Sequence, residues 1–245
     1  MKKALVIGIN TYPGYPLQGC VNDAMAYVTL LQAKGFTSIS VLLNGSATRA
    51  AILSGLNWLT TGFSGVDGIA LAYSGHGSSV AASSGDEPRD ECLVSVDMRA
   101  ILDDELRQRL NLVPANVTSD VFLDCCYSGT GTRAPTLKSD IQIVAYRAVP
   151  SLAVAFPKKG KALVIVPGLN HSLMAACGEL QTSTEILVNG VPHGAFSYFA
   201  VPAIQAGGTR AANMVTIASQ LAGIGLSQVP QLEATQAEAN QPAFT

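Results

Sequence analysis

Two short motifs carry the residue types of a thiol peptidase. His76 lies within Tyr-Ser-Gly-His-Gly at residues 73–77, and Cys126 lies within Asp-Cys-Cys-Tyr-Ser-Gly at residues 124–129. A free thiol has a pKa of about 8.5 and is mostly protonated at neutral pH, so a nucleophilic cysteine needs an imidazole or a positive charge beside it. His76 precedes Cys126 by fifty residues. The two motifs therefore predict a nucleophile and its acid/base partner.

The residues before each motif predict how the two side chains are positioned. Apolar runs at residues 69–72 and 121–123 are typical of buried strands. In an open parallel sheet, sites assemble at the carboxyl ends of the strands, so both motifs are expected at one edge of the sheet. Similar runs alternate with helical periodicity along most of the chain, which predicts a mostly parallel sheet covered on both faces by helices.

The same patterns predict the individual elements. Further strands are expected at 4–9, 39–43, 93–96 and 172–176, and helices at 21–31, 48–59, 195–204 and 214–221, with another helix opened by Asp103. Residues 77–85 are rich in Gly and Ser and predict a loop. Residues 129–161 contain prolines and scattered basic residues, which predicts a long loop or linker, and a connection of this length is usually functional.

Composition limits the class of protein. The chain has 245 residues, of which 48% are hydrophobic and 13% charged, and this suits a single α/β domain with a substantial core. Its formal net charge of −2 gives no basic excess of the kind that binds nucleic acid or anionic membranes. Proteins or peptides are therefore the expected partners.

Cysteine usage and hydropathy predict a cytoplasmic protein, which we expect to be a monomer. Five cysteines, an odd number without Cys-x-x-Cys spacing, argue against a disulfide framework and a structural zinc site. No apolar stretch approaches the roughly 20 residues needed to cross a bilayer. The apolar start at 4–9 is too short for a signal peptide and has no cleavage site nearby.

Together, the two motifs resemble those of the metacaspases, a family of caspase-like cysteine peptidases. The resemblance extends to shorter matches at residues 19–24, 176–182, 194–198 and 228–232. It implies a caspase-like three-layer α/β/α sandwich with a central, mostly parallel six-stranded sheet. Residues 1–245 would form one domain, divided into a large-subunit-like part at 1–133, a linker at 134–161 and a small-subunit-like part at 162–245.

The resemblance also implies a catalytic mechanism. Cys126 would be the nucleophile and His76 the acid/base, and the backbone N–H groups of Gly77 and Cys126 would form the oxyanion hole. Two fixed donors there stabilise the charge that develops on the attacked carbonyl. Cys126 would attack, His76 would protonate the leaving amine, and water would hydrolyse the acyl-enzyme. This chemistry requires no metal or other cofactor.

A basic residue is expected at P1, the substrate residue whose carbonyl is attacked. Asp124 precedes the nucleophile by two residues, and the resemblance places Asp23, Cys20 and Ser74 beside it in the S1 pocket. Carboxylates there favour Arg or Lys and repel an acidic side chain. The basic residues of the loop at 133–161 are then candidate self-cleavage sites: Arg133, Lys138, Arg147, Lys158, Lys159 and Lys161.

Calcium is a candidate activator, because many metacaspases depend on it. The resemblance maps the calcium site onto Asp90, Asp103 and Asp104. A further acid is expected nine positions beyond Asp124, where this chain has Arg133. A hard cation needs several oxygen ligands with few cations nearby, so this departure argues against calcium dependence.

Several of these assignments have a structural alternative. Cys20 could be a packing residue, Asp23 a helix-capping residue, and Asp103 and Asp104 acids at a helix start. At the level of function, the main alternative is a catalytically silent caspase-like module that binds a partner. A third reading keeps the nucleophile and changes the reaction to peptide ligation.

Overall fold

The computed structural model describes residues 1–81, 89–126, 141–149, 163–165, 169–178 and 181–245. Its strands are β1 Lys2–Gly8, β2 Phe36–Leu43, β3 Gly68–Ser74, β4 Gly77–Ala81, β5 Arg89–Val94, β6 Ala100–Leu102, β7 Thr118–Asp124, β8 Ile141–Tyr146, β9 Leu163–Ile165, β10 Ser172–Ala175, β11 Thr184–Val188, β12 Val191–Gly194 and β13 Gln231–Ala234. Its α-helices are α1 Cys20–Ala33, α2 Arg49–Leu59, α3 Asp103–Leu110, α4 Ala195–Ala206, α5 Arg210–Gly223 and α6 Gln236–Ala239.

A central sheet with the strand order β2-β1-β3-β7-β10-β13-β9 organises the molecule. The strands from β2 to β10 are parallel, and β13 joins them antiparallel through β10. These six strands are the number expected from the sequence. The short strand β9 extends the sheet at its edge, where it pairs with β13.

Two apolar clusters cover the two faces of the sheet. Because successive strand residues face opposite sides, Ala4 and Val6 of β1 lie in one cluster, and Leu5 and Ile7 lie in the other. Helices α1, α4 and α5 pack into the first cluster, and α2 and α3 pack into the second. The predicted three-layer α/β/α sandwich is confirmed.

Two small antiparallel sheets lie beside the central one, and each includes a segment that was predicted as a loop. The first has the order β4-β5-β6, and the second has the order β12-β11-β8. Residues 77–81, predicted as part of a Gly/Ser-rich loop, form β4 because their backbone pairs with β5. Residues 141–146, predicted as linker, form β8 because their backbone pairs with β11. Most of the β8 residues are β-branched or aromatic, which suits a strand.

A buried ion pair holds the carboxyl-terminal helices to the sheet. Arg210 of α5 donates from Nε to Asp120 Oδ1 at 2.6 Å and from Nη2 to Asp120 Oδ2 at 3.0 Å. Asp120 lies in β7 and also accepts from the Ser172 hydroxyl of β10 and from the Phe244 backbone N–H. The carboxylate is therefore fully hydrogen-bonded, as a buried charge requires. Through it, α5 and the chain end are fixed to the strand that precedes Cys126.

Within the described part of the chain, no helix is both long and apolar enough to cross a bilayer.

Candidate active site

The two predicted motifs lie side by side at one edge of the central sheet. Strands β3 and β7 are parallel neighbours, and their last residues, Ser74 and Asp124, are in register. The backbone N–H of Gly75 donates to the Asp124 carbonyl at 3.3 Å, which ties the two strand ends together. His76 and Cys126 follow these ends directly. The prediction that both motifs occupy one edge is confirmed. Residues 127–129 of the second motif lie outside the described residues.

Two backbone N–H groups converge on one carbonyl oxygen. Gly77 N donates to the Arg147 carbonyl at 3.1 Å, and Cys126 N donates to the same oxygen at 3.3 Å. Two fixed donors on one carbonyl oxygen are the arrangement that stabilises a tetrahedral intermediate. The two donors are those predicted for the oxyanion hole, and the oxygen belongs to the protein's own chain.

The Arg147 side chain fills an acidic pocket below this carbonyl and is 0% exposed. Its guanidinium lies 2.7 Å from Asp23 Oδ2, 3.3 Å from Asp124 Oδ2 and 3.4 Å from Glu185 Oε1. It also donates to the Ser74 hydroxyl at 2.6 Å. A guanidinium is suited to such a site, because its planar fork of donors can serve several acceptors at once. The pocket is therefore built for a basic side chain.

Uncharged hydroxyl and backbone N–H groups also donate hydrogen bonds to two of these carboxylates. Asp124 accepts from the hydroxyls of Ser183 and Ser197, both at 2.7 Å. Asp23 accepts from the Ser74 hydroxyl at 2.8 Å and from the backbone N–H of Gly194 at 2.9 Å. Since each carboxylate is held by hydrogen bonds besides the ion pair, the pocket is preorganised for a cation.

The backbone on both sides of Arg147 is held by main-chain hydrogen bonds. Arg147 N donates to the Ser183 carbonyl at 3.0 Å, immediately before β11. The preceding strand, β8, pairs antiparallel with β11. On the other side, Val149 N donates to the Gly77 carbonyl at 3.3 Å. An extended peptide held by main-chain hydrogen bonds to a strand edge, with a side chain in a pocket, is a common mode of peptide recognition.

His76 is held so that one ring nitrogen remains available. Nε2 lies 2.7 Å from the Tyr15 carbonyl, which can only accept, so Nε2 carries the proton. Nδ1 is buried and has no hydrogen-bond partner among the described residues. Burial, and to a smaller extent the charge of Arg147, lowers the pKa of His76 to about 4. The imidazole is therefore neutral at physiological pH, with a free lone pair on Nδ1.

Cys126 is covered completely and is 0% exposed. Its Sγ lies 3.8 Å from the Ser183 carbonyl oxygen. Burial raises the pKa of the Cys126 thiol to about 12. Cys126 is therefore a protonated thiol at neutral pH in this structure. His76 Nδ1 makes no hydrogen bond with this thiol.

We expect iodoacetamide to modify Cys126 slowly in the intact chain, with a rate that still rises above about pH 10. The reason is that alkylation follows the thiolate fraction, which depends on the raised pKa of Cys126. Peptide mapping by mass spectrometry after timed alkylation measures the rate at each pH, and circular dichroism checks that the fold persists. The urea-unfolded chain is the control, with a plateau near its ordinary pKa of about 8.5. The same plateau in the folded chain would contradict the expectation.

The four residues predicted for the S1 pocket lie together around Arg147. Asp23, Asp124 and Ser74 contact its guanidinium directly. The Cys20 thiol is buried beside the Ser74 hydroxyl, and burial raises its pKa.

The sequence analysis missed Glu185 as a third acid of the pocket. It also missed Ser183 and Ser197, and His193, whose Nδ1 lies 3.2 Å from Asp23 Oδ1. The available signal was a single charge within the short apolar run of β11, since a buried charge is rare unless it is paired.

The carboxylates predicted to bind calcium do not form a metal site in the described part of the chain. There, no group of three or more His, Cys, Asp or Glu residues is arranged to hold an ion. Asp104 pairs with Arg107, which supplies a cation of its own. Burial and the charges of Asp104 and Asp90 raise the pKa of Asp103. Arg133 lies outside the described residues. Calcium activation stays a prediction.

Comparisons with known proteins identify the family of the chain. A family model described as metacaspase, peptidase C14 domain, matches residues 2–135. Metacaspase-4 of Arabidopsis thaliana is 37% identical over 145 residues, which cover 52% of this chain and 34% of that protein. Metacaspase-3 of Trypanosoma cruzi is 35% identical over 144 residues, which cover 52% of this chain and 40% of that protein. The chain thus spans 34–40% of the length of these relatives.

A solved crystal structure of a protein from Geobacter sulfurreducens has the same fold along the whole chain. The TM-score is 0.74 at 24% sequence identity, and the match covers 100% of this chain and 98% of the other. The fold of the carboxyl-terminal part, which the family model does not reach, therefore also has a counterpart among solved proteins.

Proposed function

Because the chain belongs to the metacaspases of peptidase family C14, we propose that it is a cysteine endopeptidase that cleaves after Arg or Lys and also cuts its own chain. One observation carries the proposal. Arg147 has its side chain in an acidic pocket and its carbonyl oxygen on the backbone N–H groups of Gly77 and Cys126. This is the position that the P1 residue of a substrate must take before attack.

The reaction follows from the groups around this carbonyl. The Cys126 thiol, which lies against the Ser183 carbonyl in the intact chain, must turn toward His76 Nδ1 and give it the proton. The sulfur then attacks the carbonyl carbon of Arg147. The oxygen becomes an oxyanion held by two N–H donors. His76 then gives the proton to the amine of Ala148, the peptide bond breaks, and a thioester forms between Cys126 and Arg147. Water hydrolyses the thioester with His76 as base, which restores the thiol and leaves a carboxylate on Arg147.

The pocket supports a preference for Arg over Lys and for both over an acid. Three carboxylates, those of Asp23, Asp124 and Glu185, surround one guanidinium. An Arg side chain reaches several of these oxygens with its planar fork, whereas a Lys side chain offers one ammonium. An acidic P1 side chain would add a like charge to a buried acidic site, which is strongly unfavourable.

The self-cleavage site we propose is the bond between Arg147 and Ala148. Among the six basic residues predicted as candidates, Arg147 is the one within the described residues. The other five, Arg133, Lys138, Lys158, Lys159 and Lys161, lie outside them. We call the acidic pocket together with the two N–H donors the groove. Until the bond is cut, residues 141–149 of the chain itself fill this groove, so the intact protein is self-inhibited.

Incubation of the purified chain should yield one fragment that ends at Arg147 and another that begins at Ala148. Intact-mass spectrometry measures this cut, and Cys126→Ala, which lacks the nucleophile, should remain whole. The processed protein should also hydrolyse fluorogenic peptides with Arg or Lys at P1 and leave the Asp peptide intact. Parallel assays with a calcium salt and with a chelator test the predicted activation.

The outcomes separate the alternatives. An intact chain that is silent toward every peptide, with and without calcium, would contradict the proposal and support a caspase-like binding module. Joined peptides in the mass spectrum would identify ligation rather than hydrolysis. Cleavage after Asp but not after Arg would refute the role assigned to the acidic pocket.

A further inference from the structure

Two side chains anchor the segment that fills the groove. Within residues 141–149, only Arg147 and Val149 are fully buried, and both are 0% exposed. The residues of β8 and Ala148 are half-buried or exposed. Arg147 is the P1 residue of the proposed cut, and Val149, two residues later, is the P2′ residue. The segment thus buries one side chain completely before the scissile bond and another completely after it.

The backbone on both sides of Val149 is fixed by β4. Ala148 and Gly77 form a parallel bridge. Val149 N donates to the Gly77 carbonyl, and the Ser78 hydroxyl donates to the Val149 carbonyl, both at 3.3 Å. Gly77 also supplies one N–H of the oxyanion hole. The strand that stabilises the attacked carbonyl therefore also sets the position of the P2′ residue.

The surroundings of the Val149 side chain are apolar. It belongs to the cluster on the α2 and α3 face of the sheet, which also contains Leu93, Ile101 and Cys125. Burial of a branched aliphatic side chain in such a cluster is favourable. A charged or polar side chain there would lose its hydration without gaining a partner.

We propose that this groove contains an S2′ pocket for an apolar side chain, and that its protein substrates carry a basic residue at P1 together with a Val-like residue at P2′. The proposal rests on the proposed function, because it takes Arg147 as P1. The S2′ pocket would select the residue two positions after Arg147, whereas the acidic pocket selects only the residue at P1. The side chain at P1′, which is half-buried at Ala148, should tolerate substitution.

A set of internally quenched peptides tests the pocket in trans. The parent peptide copies residues 143–152, and its P2′ residue is varied from Val to Ile, Ala, Asp and Lys. The matched control replaces Ala148 of the peptide with Ser at P1′. With the processed full chain as enzyme, we expect kcat/KM for the Asp and Lys peptides to fall by at least about tenfold. This fold-change corresponds to the loss of the favourable free energy of burying the Val side chain. The Ile and control peptides should stay within about threefold of the parent, since their anchors persist.

The same substitutions test the pocket in cis. Val149→Asp in the full chain should slow the appearance of the fragment that begins at residue 148, whereas Val149→Ile should not. Gln142→Asp, an exposed change in β8, is the matched control for an added charge. If Val149→Asp prevents folding, as thermal unfolding would reveal, the peptides decide the question.

The two proposals fail in different ways. Equal cleavage of all P2′ peptides would overturn the S2′ pocket and leave peptidase activity after Arg intact. No cleavage of any peptide would overturn the proposed function, and the pocket with it.

Discussion

Replacement of Arg147 by Ala should abolish the cut after residue 147 and, at the same time, open the groove to other peptides. In the intact chain, the Arg147 guanidinium offsets the carboxylates of Asp23, Asp124 and Glu185, all of which are buried. Removal of one partner from a buried ion pair costs about 3–5 kcal/mol. Without the cation, hydration stabilises the carboxylates more than their contacts with the β8 segment do. We therefore expect the segment to dissociate from the groove.

Labelling of Cys126 by a peptidyl-arginine chloromethyl ketone measures the opening. The matched control is Ala148→Pro, which makes the scissile amide tertiary and keeps Arg147 in place. The Ala148 N–H donates no hydrogen bond among those that fix the segment, so Pro at this position removes none of them. We expect Arg147→Ala to be labelled at least about a hundredfold faster than Ala148→Pro, which corresponds to the lower bound of the ion-pair cost.

Equal labelling rates would contradict the role given to Arg147. They would mean that pairing of β8 with β11 closes the groove without help from the ion pairs. In that case, substitutions in the segment that disturb strand pairing, rather than charge, would be needed to expose the thiol.

In the intact chain, a positioned peptide bond lies beside an un-ionised thiol, which we propose as the nucleophile. The Arg147 carbonyl lies on the two N–H donors, and burial raises the pKa of the Cys126 thiol to about 12. Because the His76 pKa is lowered to about 4 by burial, neither group is charged at neutral pH. Self-cleavage must therefore transfer the thiol proton to Nδ1 as the bond to carbon forms, with His76 as general base. This requirement predicts a slow first cut and faster turnover of peptides once the segment has left.

The sequence was sufficient for the parts of the site that follow local patterns. The apolar runs before His76 and Cys126 predicted two strand ends, and adjacent parallel strands necessarily bring such ends together. Asp124 could be assigned to the pocket because it lies two residues before the nucleophile. These assignments depend on contacts that are close in sequence or on a regular strand order.

The sequence was insufficient where contacts join distant segments. Arg147 was one of six basic residues in a stretch with prolines, and only its burial against Asp23, far along the chain, distinguishes it. Residues 141–146 were predicted as linker because nothing near them in sequence indicates a strand partner. Their partner, β11, lies beyond another long connection. Glu185 stood out only as a single charge in a short apolar run, because its partners, Arg147 and the backbone N–H groups of Gln18 and Gly19, lie far from it in sequence. Such long-range pairings are not encoded in periodicity.

Replacement of Asp124 by Asn should reduce kcat/KM for Arg peptides by at least about a hundredfold, because it removes one charge from a buried pair without a change in size. The amide also turns an acceptor into a donor beside the hydroxyls of Ser183 and Ser197. Peptides with citrulline at P1, an uncharged analogue of Arg, provide the decisive readout. The wild type should strongly prefer Arg to citrulline, and the preference should shrink in Asp124→Asn if the carboxylate acts through charge. Asp67→Asn, on the surface, is the matched control. An unchanged preference in Asp124→Asn would refute the assignment of Asp124 to the P1 pocket.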